Sequence, residues 1–144
     1  MRLLRSIQDG EYTEPGLVRG LVCLLKSQML FDHWQFGEEA ALAVFTAMES
    51  ALSALRGRIA AHTQSSASFE DVYRVIESRV RYGAALSDYF KSCWDKRIIL
   101  AHPENRFGAD PIPFLYADDF YETYAALVSM YRLLLIAEDR PEMA

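Results

Sequence analysis

The sequence predicts an all-α protein, an up-and-down bundle of about four to five helices. Apolar residues recur at steps of three and four along most of the chain, which is the period of a helix with a buried face. The five prolines and seven glycines lie mostly between these periodic segments. No repeat or low-complexity tract divides the chain, so we expect residues 1–144 to form a single domain.

Composition and charge narrow the class of protein. The chain is 51% hydrophobic and 24% charged, as in globular proteins. Its net charge of -5 argues against a broad nucleic-acid binder, which would usually be basic, but leaves room for a small basic cleft. No run of 18 apolar residues and no signal-peptide core occurs, so we expect a cytoplasmic protein without membrane contact. Cys23 and Cys93 form no zinc-binding pattern and are expected to be reduced.

The first two helices are separated by a short break. Pro15-Gly16 can start a helix that runs to about Leu30, because proline suits a first helical turn. After a break at Asp32–Gly37, a long second helix is expected from about Glu38 to Ala61. Its apolar residues cover two sides, so it lies at the centre of the bundle or is shared with a partner subunit. They are Ala40, Val44, Ala47, Ala51, Leu55 and Ile59 on one side, and Leu42, Phe45 and Leu52 on the other.

The second half of the chain predicts three further helices. Ser68-x-x-Asp71 resembles a capping box and opens a third helix, Phe69 to about Tyr82, which Gly83 ends or kinks. A fourth helix is expected from about Ala84 to Ala101. The last helix follows a proline-rich loop and runs from Asp118 to about Ala137. The helical spacing of its aromatic residues favours a place in the core or in a dimer interface over base stacking. With Tyr116 of the preceding loop, these residues are Phe120, Tyr121, Tyr124 and Tyr131.

The end of the fourth helix carries the residues with the most chemistry. Arg97 falls near the middle of the helix's apolar arc, where a guanidinium is costly to bury unless it is paired or used. Pro103 disfavours a helical conformation at His102, so the helix should end there. In a continuous helix these two side chains would point about 140° apart. Unwinding before Pro103 allows the imidazole to turn toward the guanidinium.

An arginine and a histidine at this point suit phosphate chemistry. A guanidinium can stabilise charge on a phosphate, and a histidine can transfer protons near neutral pH. Together Arg97 and His102 would support metal-free RNA cleavage in which the 2′-hydroxyl attacks the adjacent phosphate. In the structural alternative, Arg97 pairs with a buried carboxylate and His102 caps the helix. The spacing alone is weakly specific, because Arg56 and His62 fit the same loose template.

The stretch R-I-I-L-A-H-P-E-N-R-F-G, followed by D-D-F-Y-E-T-Y in the final helix, resembles the HEPN superfamily. The resemblance covers about Glu38 to Ala137. Members of that superfamily are all-α domains, often homodimers, in prokaryotic defence and toxin–antitoxin systems. Active members are metal-independent RNases with an Arg-x4-6-His motif. The resemblance therefore implies catalytic roles for Arg97 and His102, a homodimer, an RNA substrate, an antitoxin-like protein partner, and no metal or cofactor.

In the HEPN superfamily the two catalytic pairs of a dimer face each other across a cleft, and the resemblance therefore implies further site residues. Lys96, Asn105 and Arg106 would contact RNA there, and their alternative is an ordinary solvated loop. Glu49 lies between apolar residues on the second side of the long helix and would orient Arg97. Its alternatives are pairing with Arg56 or plain exposure.

Two functions of different classes remain open. In the first, the chain is an endoribonuclease with His102 as general acid or base and Arg97 stabilising phosphate charge. In the second, it is a non-catalytic helical dimerisation module that binds a partner protein or a small anionic ligand. The acidic net charge, the two-sided apolar helix and Ile98, where active HEPN members commonly have a polar residue, favour the second.

Overall fold

The computed structural model describes residues 14–79, 83–101 and 117–139. Within these ranges the chain forms five α-helices, one 3-10 turn and no strand, which confirms the predicted all-α class. The elements are α1 (Pro15–Phe31), the 3-10 turn (Trp34–Phe36), α2 (Gly37–Thr63), α3 (Phe69–Arg79), α4 (Gly83–Ala101) and α5 (Ala117–Asp139). None of the described helices has the length and apolar content needed to cross a membrane.

Helix α2 lies at the centre of the bundle. It contacts the other four helices. Both of its predicted apolar sides are buried: Ala47 and Ala51 on one side and Phe45 and Leu52 on the other are at most 1% exposed. The two-sided apolar pattern is therefore accounted for by packing within one chain.

Helices α1 and α2 approach each other closely at Gly20. A Cβ atom at this position would collide with the hydroxyl of Tyr131 and the side chain of Ser50. The Tyr131 hydroxyl donates a hydrogen bond of 2.8 Å to the carbonyl oxygen of Ala47. Burial, with a smaller contribution from Cys23, raises the pKa of the Tyr131 phenol. Three helices thus meet at a point where only glycine fits.

Helix α3 begins at the predicted capping box. The Ser68 backbone N–H donates to Asp71 Oδ2 at 2.8 Å, and the Asp71 N–H donates to Ser68 Oγ at 3.2 Å. These bonds satisfy backbone donors that the first helical turn would leave unpaired. Hydrogen bonds from Ser68 also hold the pKa of the Asp71 carboxyl below its ordinary value.

Helices α3 and α4 form an antiparallel hairpin. Gly83 begins α4, and a Cβ atom there would collide with the backbone of Ile76 and Glu77. Farther along, Lys91 Nζ lies 5.0 Å from the ring centroid of Tyr73. Helix α3 is described from Phe69 to Arg79, and the last three residues of the predicted third helix, 80–82, lie outside the described residues.

Helix α5 covers α1 and α2 with the face that the sequence predicts. Its buried residues include Phe120, Leu127, Tyr131 and Leu134. Tyr121 differs from the other aromatic residues of this helix because it is 53% exposed. Tyr116 lies outside the described residues.

Candidate functional site

The candidate site lies at the C-terminal end of α4. The helix continues to Ala101, as predicted. Phe90 and Cys93 are buried, and Leu86 and Trp94 are half-buried against the core. The apolar arc predicted for this helix is therefore confirmed as far as Trp94, the last residue of α4 whose side chain is described.

Arg97 belongs to the same helix, one turn after Trp94. It follows the buried Phe90 by seven residues, a step that returns to nearly the same direction around an α-helix. Lys96 also lies within α4, although the side chains of both residues are outside the described part of the structure. His102, Asn105 and Arg106 lie outside the described residues altogether. The Arg97–His102 pairing and the three RNA contacts stay predictions.

An aromatic contact places the end of α4 beside α2 and α3. The rings of Trp94 and Phe69 have centroids 5.1 Å apart. The guanidinium carbon of Arg56 lies 4.8 Å from the centroid of the Phe69 ring. Arg56 is an exposed cation, so the contact is a cation–π interaction at the surface. Sequence reasoning singled out Arg56 but missed its aromatic partner, which comes from a different helix.

The second arginine–histidine pair has a different backbone context. Arg56 and His62 both lie inside α2, which is continuous from Gly37 to Thr63. Six residues of helix separate two side chains by about 9 Å along the axis and about 120° around it. Both residues are exposed and have no break in the helix between them. This geometry does not bring the two side chains to one phosphate.

Glu49 lies half-buried on α2, two turns before Arg56. Arg56, its alternative partner, places its guanidinium carbon 4.8 Å from the centroid of the Phe69 ring. The half-buried position of Glu49 does not fit plain exposure. Because the Arg97 side chain is not described, the orienting role of Glu49 stays a prediction.

A groove of about 450 Å³ lies between the end of α2 and α3. Its polar groups are largely occupied by local bonds. Thr63 Oγ1 donates to the Ile59 carbonyl at 2.8 Å, and Arg74 pairs with Asp71 at 3.2 Å. The groove therefore presents few polar groups that could converge on a ligand. Its lining comprises Ile59, Thr63, Ser65, Ser66, Ala67, Asp71, Arg74, Val75 and Ser78.

Side chains that bind metals do not cluster in the described part of the chain. No group of three histidine, cysteine, aspartate or glutamate residues is placed to hold a metal ion there. Cys23 and Cys93 are both free thiols. These findings concern the described ranges alone.

An ion pair joins the start of α1 to α2 and α5. Arg58 Nε lies 3.1 Å from Glu14 Oε1, and Arg58 Nη1 donates to the carbonyl oxygen of Leu134 at 2.6 Å. Sequence reasoning did not single out Arg58. Its bond to a backbone carbonyl of α5 gives this cation a structural role rather than a place in the candidate site.

Comparison with known proteins finds no similar sequence or structure. No family model, curated protein or solved structure matches this chain significantly. Its function is therefore inferred from its own residues.

Proposed function

We propose that this chain is a HEPN-like, metal-independent endoribonuclease that works in a toxin–antitoxin or defence system. The observation that carries the proposal is Arg97 within α4, seven residues after the buried Phe90, with His102 and Pro103 following the described part of that helix in the sequence. A guanidinium at such a position is costly unless it is paired or used. Binding a phosphate at the edge of the bundle would use it.

The proposed reaction needs the chain's own side chains and no metal ion. The 2′-oxygen of the RNA attacks the adjacent phosphorus, and the bond from phosphorus to the 5′-oxygen breaks. Arg97 stabilises the extra negative charge on the phosphate through its planar array of donors. His102 removes the 2′-proton or protonates the leaving oxygen. The products are a 2′,3′-cyclic phosphate and a 5′-hydroxyl.

Neighbouring residues would support this reaction. Lys96, Asn105 and Arg106 would contact the flanking phosphates in a cleft between two copies of the chain. Glu49 would orient Arg97 from α2. We expect Glu49→Gln to lower cleavage without changing the melting temperature. Unchanged cleavage would remove Glu49 from the site.

Two features support Arg97 and His102 over the competing pair. Pro103 directly follows His102 in the sequence and disfavours a helical conformation at that histidine. Helix α2 instead runs without a break through both Arg56 and His62. A histidine that follows a helix can turn toward an arginine of the last turns, whereas one inside the helix is fixed by the helical repeat.

The test is cleavage of total RNA and transfer RNA by the purified protein in EDTA. Wild-type protein, Arg97→Ala and His102→Ala are purified identically and compared at equal concentration. We expect cleavage by the wild type, products with cyclic phosphate ends, and a loss of roughly 100-fold or more in each variant. Equal traces in all three samples would indicate contamination and would reject the enzyme.

The second candidate is a non-catalytic helical module that binds another protein. One observation favours it: α1 exposes Val22, Leu25 and Met29, which are large apolar residues. It predicts RNA degradation that never exceeds that of His102→Ala. The two candidates are therefore separated by the same cleavage experiment.

A further inference from the structure

Helix α1 has two apolar faces, and within the described part of the chain only one of them is covered. Val22, Leu25 and Met29 are 57%, 52% and 72% exposed. Their spacing of three and four residues places them in one row along the helix. We call this row the outer face of α1. Single exposed apolar residues are ordinary at protein surfaces, but contiguous ones mark interaction sites.

The outer face has a strongly one-sided charge. Helix α1 contains two charged residues, Arg19 and Lys26, and no acidic residue. Both cations are exposed. Measured around the helix from Val22, they lie about 40–60° to one side of the row. In a chain with 20 acidic and 15 basic residues, this apolar row thus borders a local strip of positive charge.

Helix α5 packs along the other side of the row. Tyr124 of α5 donates a hydrogen bond of 2.9 Å from its hydroxyl to the side-chain oxygen of Gln28. The outer face is therefore a narrow surface with a packed helix on one side and two cations on the other. A surface of this width suits one helix laid along it.

We propose that the outer face of α1 docks an amphipathic helix of another protein, one whose apolar row is flanked by carboxylates. The apolar row would pack on Val22, Leu25 and Met29. The carboxylates would pair with Arg19 and Lys26. Methionine adapts to partner side chains because it is unbranched and flexible. This inference does not depend on the proposed RNase activity.

A second copy of this chain fits the outer face less well. A symmetric antiparallel pairing of α1 centred on the row brings Lys26 close to Lys26 of the second copy. A symmetric parallel pairing puts the cations of the two copies on opposite sides of the contact, where α1 offers them no carboxylate. Because α1 contains no carboxylate to offset this repulsion, an acidic partner is favoured over self-association.

A membrane surface also fits less well. Helices that bind membranes usually carry many basic residues on the polar face. Here two cations would supply about 1 kcal/mol each near an anionic surface. Helix α1 offers three apolar side chains for insertion into a membrane, because its opposite side is packed in the core. A single helical partner requires less apolar area.

The test uses full-length protein and two synthetic helical peptides of about five turns. The first has leucines at positions i, i+3 and i+7 flanked by glutamates, and the second has lysines in place of the glutamates. Binding is measured by fluorescence anisotropy. We expect the acidic peptide to bind, and Met29→Glu and Lys26→Glu each to weaken it roughly tenfold or more. Lys26→Glu should also bind the basic peptide better than the wild type does.

A matched control lies on α5, where Leu133 is 45% exposed and Arg132 is also exposed. We expect Leu133→Glu and Arg132→Glu to leave peptide binding unchanged. Circular dichroism checks that each variant is folded. A loss of binding in these variants equal to that in Met29→Glu would overturn the assignment to α1.

Three other results would also overturn the proposal. The first is equal binding of both peptides to the wild type. The second is binding to vesicles of anionic lipid that Met29→Glu abolishes while the acidic peptide does not bind. The third is a dimer in sedimentation that Met29→Glu dissociates. Each of these results is obtained without measuring RNA cleavage, so the proposed enzyme is tested separately.

Discussion

The chain contains an arginine followed by a histidine at two places, late in α2 and at α4 with the residues after it, and the two regions differ in the residue that follows the histidine. Arg56 and His62 lie within the unbroken helix α2, and Arg56 is placed over the Phe69 ring. Arg97 lies within α4, which is described up to Ala101, and His102 and Pro103 follow directly. Spacing in sequence is nearly the same, but Pro103 predicts a helix end beside His102, whereas α2 continues through His62.

This difference shows that the spacing of two residues predicts a shared site only when the helix that carries them allows both side chains to reach it. A side chain inside a helix is fixed by the 100° turn between residues. A side chain just beyond the end is free of that constraint. The structure also gives Arg56 an aromatic contact that accounts for its position without catalysis.

The largest expected effect tests the packing that holds α2 in place. We expect Gly20→Ala to destabilise the protein by about 1–3 kcal/mol or more, because the added Cβ would collide with Tyr131 and Ser50. Urea unfolding measures this. Gly57→Ala is the matched control within α2, since a Cβ there meets nothing within 4 Å. It should stabilise the protein by about 0.5–1 kcal/mol. Equal effects of the two substitutions would contradict the close approach at Gly20.

Conservative substitution of each arginine separates the two regions directly. Arg97→Lys keeps the charge but loses the planar donors that match a phosphate. We expect RNA cleavage to fall by roughly tenfold or more in this variant. Arg56→Lys should leave cleavage unchanged. If Arg56→Lys lowers cleavage as much as Arg97→Lys does, the distinction between the two helix ends fails.

Pro103→Ala tests whether the helix end itself matters. Without proline, α4 can continue through His102, which would then point about 140° away from Arg97. We expect cleavage to fall by roughly tenfold, since small errors in position are costly in catalysis. Circular dichroism should show an unchanged or slightly higher helix content. Full activity in this variant would mean that the break at the proline is not needed.

The smallest effect concerns the start of α3, which positions Phe69 under Arg56. Ser68→Ala removes one half of the capping box and should lower the melting temperature by about 2–4 °C. The pKa of Asp71 is lowered in the folded protein, so its contribution is present above the ordinary value of 3.8 and is lost as pH falls through the lowered one.

Thermal unfolding of wild type and Ser68→Ala between pH 7 and pH 2 tests this pH dependence. The difference between the two proteins should persist to about pH 4 and shrink below it. A difference that grows in acid would contradict the sign.

Local patterns predicted the elements of the fold well. Proline at the start of α1, the Ser68–Asp71 box and the two apolar sides of α2 each depend on residues close in sequence. Contacts between distant segments had no such pattern. Arg58, for example, contacts Glu14 and Leu134, which lie 44 and 76 residues away.

The candidate site was predictable to a smaller extent. The course of α4 to Ala101 and its apolar arc as far as Trp94 followed from helical spacing, whereas the helix end expected at Pro103 stays a prediction. The Arg56–Phe69–Trp94 contact depends on how three helices pack. The outer face of α1 was also missed, because this helix is apolar on several sides and its sequence does not tell which side another helix covers.

The most direct measurement is RNA cleavage in EDTA by wild type, His102→Ala and His62→Ala. Both variants remove a histidine that follows an arginine near a helix end, so they are matched in chemistry. The account predicts that His62→Ala cleaves like the wild type and that His102→Ala is inactive. Activity that persists in His102→Ala, or that is lost in His62→Ala instead, would contradict it.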